Sequence, residues 1–206
     1  EHFQQLLTFL LRYSLVVILG LAIMTFLVYP AIVSLFVKKM SWKQFRVGMR
    51  DAQITAFSTS SSVATLPVTM KCVEEKLGVS ERTSSFVLPI GATVNMDGTS
   101  LYQAIAVVAL AQFHMIDLTI AQQAIIVITA TLASIGAAAV PSAGLVLMII
   151  VLESVGLNPA WIALIFPVDR ILDMCRTVVN VTGDGTVSTL VAASEGELGD
   201  PISMPK

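Results

Sequence analysis

The chain has 206 residues, 55% of them hydrophobic and 13% charged, about half the ~25% usual in soluble domains. That apolar excess excludes an ordinary soluble enzyme and indicates a protein of the lipid bilayer, and a net charge of −2 gives no basis for nucleic-acid binding. Two cysteines, Cys72 and Cys175, lie in apolar runs, which argues against a disulfide framework.

The chain opens on Glu1-His2-Phe3-Gln4-Gln5, without an initiator Met or a leader with a cleavage site, as a piece of a longer protein would. Residues 13–38 read as a transmembrane helix: the charge-free part is about 37 Å long at 1.5 Å per residue, enough for a tilted crossing. Pro30 predicts a kink. Lys38, Lys39, Lys43, Arg46 and Arg50 follow, which places this end on the cytoplasmic side. In residues 45–77 two short apolar arms flank a polar tip, Ser58-Thr59-Ser60-Ser61-Ser62. Neither arm is long enough to span, so the segment reads as a re-entrant hairpin or as a pair of amphipathic surface helices.

Residues 83–113 are apolar but interrupted at Asn95-Met96-Asp97-Gly98-Thr99, a run of poor helix formers that predicts a broken transmembrane helix. Non-helical backbone at membrane depth is tolerated only where it lines a cavity or is buried in protein, and its free carbonyls suit a hard cation. Residues 118–154 hold a long charge-free run. One straight helix would far exceed a ~30 Å hydrocarbon core, and the small residues with Gly136, Pro141 and Gly144 at its centre predict a second re-entrant hairpin. Residues 157–194 form the last helix. Hairpin followed by polar-centred helix occurs twice, the layout of an inverted-repeat transporter. The fold class is therefore an all-α membrane protein.

The last helix carries the most informative pattern. Asp169, Asp173, Arg176, Thr177, Asn180 and Asp184 stand at −4, 0, +3, +4, +7 and +11 from Asp173. At about 100° per residue they share one side of a helix otherwise built of Ile, Leu, Met and Val. A charge facing the centre of the bilayer costs roughly 2.5–3.5 kcal/mol even on the mild insertion scale, so the stripe is expected to line a site for a charged guest. Arg176 offers a fork suited to a carboxylate, and its bland alternative is an internal ion pair with Asp169 or Asp173 one or two turns away.

Four ordered motifs resemble the glutamate transporter family, the dicarboxylate/amino acid:cation symporters: Ser60-Ser61-Ser62 before Thr65-Leu66-Pro67, NMDGT at 95–99, the ASIGAAAVPSAG run at 133–144 and DMCRTVVNVTGD at 173–184. The resemblance covers residues 13–196 and implies the C-terminal half of the family fold, half of a transport domain whose homotrimer forms through a scaffold outside this chain. An archaeal member of that family is a type case of the inverted repeat, so the repeat is not independent support.

The resemblance implies roles residue by residue. Arg176 would bind the substrate's side-chain carboxylate and Asp173 its ammonium. Thr177, Asn180 and Thr99 would contact the substrate, and Ser60, Ser61 and Ser62 its α-carboxylate. Val140 and Gly144 would close over it as a gate. Asp184, Asn95 and the carbonyls of Gly91 and Asn180 resemble one Na⁺ site. The carbonyls of Thr93, Ser134, Ile135 and Ala137 resemble a second, and Asp97 with Asn95 part of a third. Family members carry an arginine at the position of Ser60 or of Met174; this chain has neither, and has Arg170 nearby. Ala139 and Ser142 stand where glycine is common. The function implied is Na⁺-driven symport of glutamate or aspartate across a cell membrane. Arg176 weighs against a neutral amino acid carrier and Asp173 against a C4-dicarboxylate carrier. An intramembrane aspartyl protease using Asp97 and Asp184 is the remote alternative, since Val181 replaces the first glycine of its motif.

Overall fold

The computed structural model describes residues 2–137 and 141–201, and among them the architecture is all-helical apart from one isolated antiparallel bridge, Val79 to Leu198. Val140 and Ala139 lie outside the described residues. The helices are α1 (His2–Ile23), α2 (Tyr29–Phe36), α3 (Trp42–Gly48), α4 (Arg50–Thr59), α5 (Ser62–Lys71), α6 (Glu81–Val94), α7 (Asp97–Phe113), α8 (Ile120–Ile135), α9 (Ala143–Ser154) and α10 (Ile162–Ser194).

Local chemistry sets the boundaries. Pro30 can donate no backbone hydrogen bond, and its ring crowds the carbonyl four residues back. The chain accommodates it just upstream by widening into a π-helical turn, Met24–Val28, where the Tyr29 N–H reaches back to the Met24 carbonyl. Helix therefore continues from Phe3 to Phe36, 34 residues, the one helix among those described that is long and apolar enough to cross a membrane. It starts earlier than the charge-free run because Arg12 keeps helical geometry.

Ser41 and Gln44 form a reciprocal capping box at the start of α3, and Thr119 with Gln122 does the same for α8. Ser60 turns α4 back on α5 in the left-handed region (φ 51°), and the Ser61 hydroxyl then caps α5 by accepting from the Ala64 N–H at 3.2 Å. Between α6 and α7 only Asn95 and Met96 leave helical geometry. The predicted interruption at 95–99 is thus shorter than its residues suggest. Asp97, Gly98 and Thr99 already belong to the first turn of α7, where unpaired N–H groups and the helix dipole accept an acidic residue and an outside acceptor. Likewise α10 begins only at Ile162, because Asn158 and Pro159 first set a 3₁₀ turn.

α10 is the central element, packed by α1, α2, α4, α6, α7 and α9. Val17, Leu21, Phe45, Met49, Ala52, Leu88, Leu110, Ile165, Leu172 and Val179 are buried around it. Leu15, Leu19, Phe26, Leu35, Ile128, Leu132, Val146 and Ile150 are exposed, an apolar exterior of the kind a bilayer covers.

After α10 the chain doubles back as a strap. Ser80 N–H donates to the Glu197 carbonyl at 3.1 Å and Gly199 N–H to the Gly78 carbonyl at 2.7 Å. The Glu197 carboxylate accepts from Ser80 Oγ at 2.6 Å and Thr83 Oγ1 at 2.7 Å and pairs with Arg82 at 3.3 Å. The strap joins the end of α10 to the start of α6. The two hydroxyls, and then Arg82, hold the Glu197 carboxyl below the usual range. A depressed folded pKa means that this support is complete above the ordinary glutamate pKa and is lost as pH falls through the folded value. Amide exchange should therefore show Ser80 and Gly199 protected at neutral pH and released in acid, with Glu197→Gln releasing them already at neutral pH. Unchanged protection in that variant would show that the backbone bonds alone hold the strap.

Candidate functional site

Every member of the α10 stripe is buried: none of Asp169, Asp173, Arg176, Thr177, Asn180 and Asp184 is more than 6% exposed. Their polar atoms meet partners on α7, at the Asn95–Met96 break before it and in the turn before α9, in two clusters one helical turn apart.

The first cluster is built on Arg176, the largest fully buried side chain in the core. Its Nε and Nη2 donate to Asp173 Oδ1 at 3.1 and 2.6 Å, and its Nη1 donates to Asp169 Oδ1 at 3.1 Å. Its guanidinium carbon lies 4.0 Å from the centroid of the Tyr102 ring, whose hydroxyl also donates to Asp169 Oδ1 at 2.9 Å. The cation is thus held by two carboxylates and an aromatic face. Asp173 Oδ2 accepts from the Ser142 N–H at 2.9 Å, at the residue that turns into α9 in the left-handed region. Gln103 Nε2 donates to the Gly144 carbonyl at 2.8 Å, and a Cβ built on Gly144 would stand 2.6 Å from Thr99 Cγ2 and 3.7 Å from Arg176 Cζ. The α9 tip therefore rests directly on the cluster. The internal ion pair expected as the alternative for Arg176 is what the structure contains.

The second cluster surrounds the Asn95–Met96 break. Asn180 Oδ1 accepts from the Gly98 N–H at 2.8 Å, taking one of the orphan donors of α7, and Asn180 Nδ2 reaches Met96 Sδ at 3.3 Å and Thr99 Oγ1 at 3.4 Å. Asn95 Nδ2 donates to Asp184 Oδ1 at 2.9 Å and to the Asn180 carbonyl at 3.4 Å. Tyr29 donates its hydroxyl proton to Asp97 Oδ2 at 2.6 Å. The helices approach so closely that a Cβ on Gly91 would lie 2.6 Å from Asp184 Oδ1, and one on Gly183 would lie 2.7 Å from Asn95 Nδ2. Only a bare backbone fits at either point.

Other predicted residues stand apart from these contacts. Ser60 and Ser62 are buried at the α4–α5 turn, with Ser60 Oγ lacking a hydrogen-bond partner. Thr93 is exposed and bonds the Ile90 carbonyl; Ile135 is exposed. Ser134 and Ala137 are buried and joined to each other through Ala137 N–H and the Ser134 carbonyl. A cavity of about 1180 Å³ opens between α1 and α7, beside Arg12, Tyr13 and Gln112, and includes none of the stripe.

Sequence reasoning passed over Tyr102, Gln103, Tyr29 and Gln53, whose amide reaches Thr182 Oγ1 on α10 at 3.0 Å. Tyr102 and Gln103 had a readable signal, since they lie three and four residues beyond Thr99 on the same side of α7. Tyr29 and Gln53 had none.

A central helix whose buried charged stripe meets a helix broken inside the apolar core defines an all-helical protein that keeps charged groups in an apolar interior. The chain belongs to the sodium:dicarboxylate symporter family, whose model matches residues 1–194. It is 53% identical over 172 residues to excitatory amino acid transporter 3 of Oryctolagus cuniculus, covering 84% of this chain and 33% of that protein. It is 51% identical over 182 residues to excitatory amino acid transporter 1 of Rattus norvegicus, and 50% to that of Homo sapiens, covering 88% of this chain and 33% of each. The chain spans about a third of the length of the curated relatives it matches. These relatives are transporters and not enzymes, which sets the protease reading aside.

Asn180→Ala leaves the buried Gly98 N–H without its acceptor, a loss of about 1–3 kcal/mol. Thermal unfolding in detergent should show that loss, whereas Thr131→Ala, at an exposed hydroxyl bonded only to the Val127 carbonyl of its own helix, should change little. Equal melting of Asn180→Ala and the parent would mean that the break is held by other contacts.

Proposed function

We propose that this chain supplies the substrate and cation sites of a secondary symporter that carries acidic amino acids with Na⁺ by alternating access. The observation that carries the reading is Arg176, fully buried and held by two carboxylates. A buried charge of this kind costs several kcal/mol of desolvation, and replacing such a triad by apolar packing is often neutral or stabilising. Its retention makes sense if a guest exchanges into it. A substrate carboxylate takes the guanidinium fork from Asp173, and the substrate's ammonium takes the carboxylate so released. Total charge in the site stays balanced throughout, and Tyr102 with Asp169 keeps the guanidinium oriented.

In the second cluster an amide hydrogen of Asn95 stands between the Asp184 carboxylate and the Asn180 carbonyl. Rotation of that amide would present Oδ1 instead, and three oxygens would then face a point that calls for a hard monovalent cation. Na⁺ is cargo here, and Asp184 and Asp97 supply the charge it neutralises. Because Asn180 offers its side chain to Gly98 and its carbonyl to the cation point, cation and substrate share one residue, which couples their binding. The α4–α5 and α8–α9 pairs serve as re-entrant hairpins at either mouth of the site, related as an inverted repeat. The Ser142–Asp173 contact makes the second of them the gate that responds to substrate. The assembled carrier is a multi-pass homotrimer in the cell membrane, as the family resemblance implies.

The test is uptake of radiolabelled aspartate into proteoliposomes by the full-length protein that carries this chain, under an imposed Na⁺ gradient. Arg176→Lys keeps the charge but loses the fork, and should reduce uptake roughly tenfold or more for each charged hydrogen bond lost. Asp184→Asn should raise the Na⁺ concentration needed for half-maximal uptake. Uptake that ignores Na⁺ and follows only a proton gradient would overturn the cation assignment.

A further inference from the structure

α3 and α4 run almost as one helix, because Met49 between them stays in the right-handed helical region (φ −81°, ψ −6°). At about 100° per residue, Lys43, Arg46, Val47, Arg50, Ile54 and Phe57 fall within one sector about 100° wide. All six are exposed, whereas Phe45, Met49, Ala52 and Ala56 on the opposite side are buried. The exposed strip is also polarised along its length. Its cations occupy the first two turns, and Ile54 and Phe57 follow towards the α4–α5 turn.

These cations lack counter-charges. Among the described residues, no ion pair includes Lys38, Lys39, Lys43, Arg46 or Arg50. The acids nearby are engaged elsewhere: Asp51 by Lys76, Glu75 by Lys71 and Glu74 by the Ser84 hydroxyl. Arg46 is instead set over the Phe26 ring, its guanidinium carbon 5.2 Å from the centroid. Phe26 is itself exposed, on the long apolar helix, about 15 Å before that helix ends at Phe36. Arg46 therefore stands alongside exposed apolar surface. In a bilayer that position is unfavourable for an unpaired arginine unless an anion reaches it.

We propose that this strip binds an anionic phospholipid of the adjoining leaflet, its phosphate groups held by Lys43, Arg46 and Arg50 and its acyl chains laid along Ile54 and Phe57. The strip matches both ends of such a molecule, whereas a free phosphate would use only the cations. Lys38 and Lys39, exposed just past the end of the membrane helix, add to the positive field. Clusters of Lys and Arg beside a membrane helix attract anionic headgroups, and the excess of basic residues places this end on the cytoplasmic side, whose leaflet carries them. The proposal goes beyond the transport reading and uses none of the α10 stripe, so either can fail without the other.

The experiment measures binding of a fluorescently labelled phosphatidylinositol bisphosphate to the purified full-length protein in neutral detergent micelles. It compares the parent with Lys43→Gln, Arg46→Gln, the double variant and Arg46→Lys, and with Lys71→Gln, an exposed cation off the strip. The Kd should rise roughly fivefold for each strip charge removed and multiply in the double variant. Arg46→Lys should keep most of the affinity, and Lys71→Gln should change little. Melting temperatures should match the parent's, since every side chain altered is exposed. Unlabelled phosphatidylcholine and soluble inositol trisphosphate should compete poorly. The proposal is overturned by a parent that does not bind the lipid, by a double variant that binds as tightly as the parent, or by Lys71→Gln weakening binding as much as Arg46→Gln. Soluble inositol trisphosphate competing as well as the lipid also overturns it, because the site would then take free phosphate.

Discussion

The structure depends on keeping one guanidinium charge out of water. Arg176 sits at the centre of the molecule, and everything near it is arranged to make that tolerable: Asp169 and Asp173 on its own helix, the Tyr102 ring on its face, and a tyrosine hydroxyl to fix Asp169. The i, i+3 and i, i+7 spacings bring both carboxylates to the same side, so a single helix carries most of the compensation. Helices α7 and α9 then have to pack where the ring and the Ser142 and Gly144 backbone can reach that side. The placement of three elements follows from the burial of one cation.

The second cluster solves the opposite problem. A helix broken in an apolar core exposes backbone groups that no solvent can satisfy. Asn180, on the same face of α10 as Arg176, accepts from the backbone Gly98 N–H, and Asp184 one turn on accepts from the Asn95 side-chain amide that stands at the break. The cost of the break is thereby met from within the protein. Close approach makes this possible, with Gly91 and Gly183 marking the points where no side chain would fit. The ion-pair cluster and the break cluster touch through Asn180 and Thr99, which gives a short physical path between them.

Much of this was legible in the amino-acid sequence. The stripe is visible because charge is conspicuous on an apolar helix, and the interruption is visible because Asn, Asp and Gly are poor helix formers. Two short apolar arms flanking a serine-rich tip likewise pointed to the pair of helices on either side of Ser60. What could not be read was partnership across elements. Tyr29 finding Asp97, Gln103 finding the Gly144 carbonyl and Glu197 finding Ser80 and Thr83 span 41 to 117 residues of sequence, and nothing local marks them. The length of the break was overestimated for a related reason. Asp97 and Gly98 look like breakers, but a helix N-terminus welcomes an acidic first turn, and the acceptor that completes it comes from α10.

The central claim is that the ionisable groups of α10 take their missing counter-charges from solution, with cation and acidic substrate stabilising each other. The most direct measurement is equilibrium binding of aspartate to the purified full-length protein while Na⁺ is titrated at constant ionic strength. The account predicts that aspartate affinity rises steeply with Na⁺, that choline gives no such rise, and that Na⁺ affinity rises reciprocally with aspartate. An aspartate affinity that stays flat as Na⁺ replaces choline would contradict it.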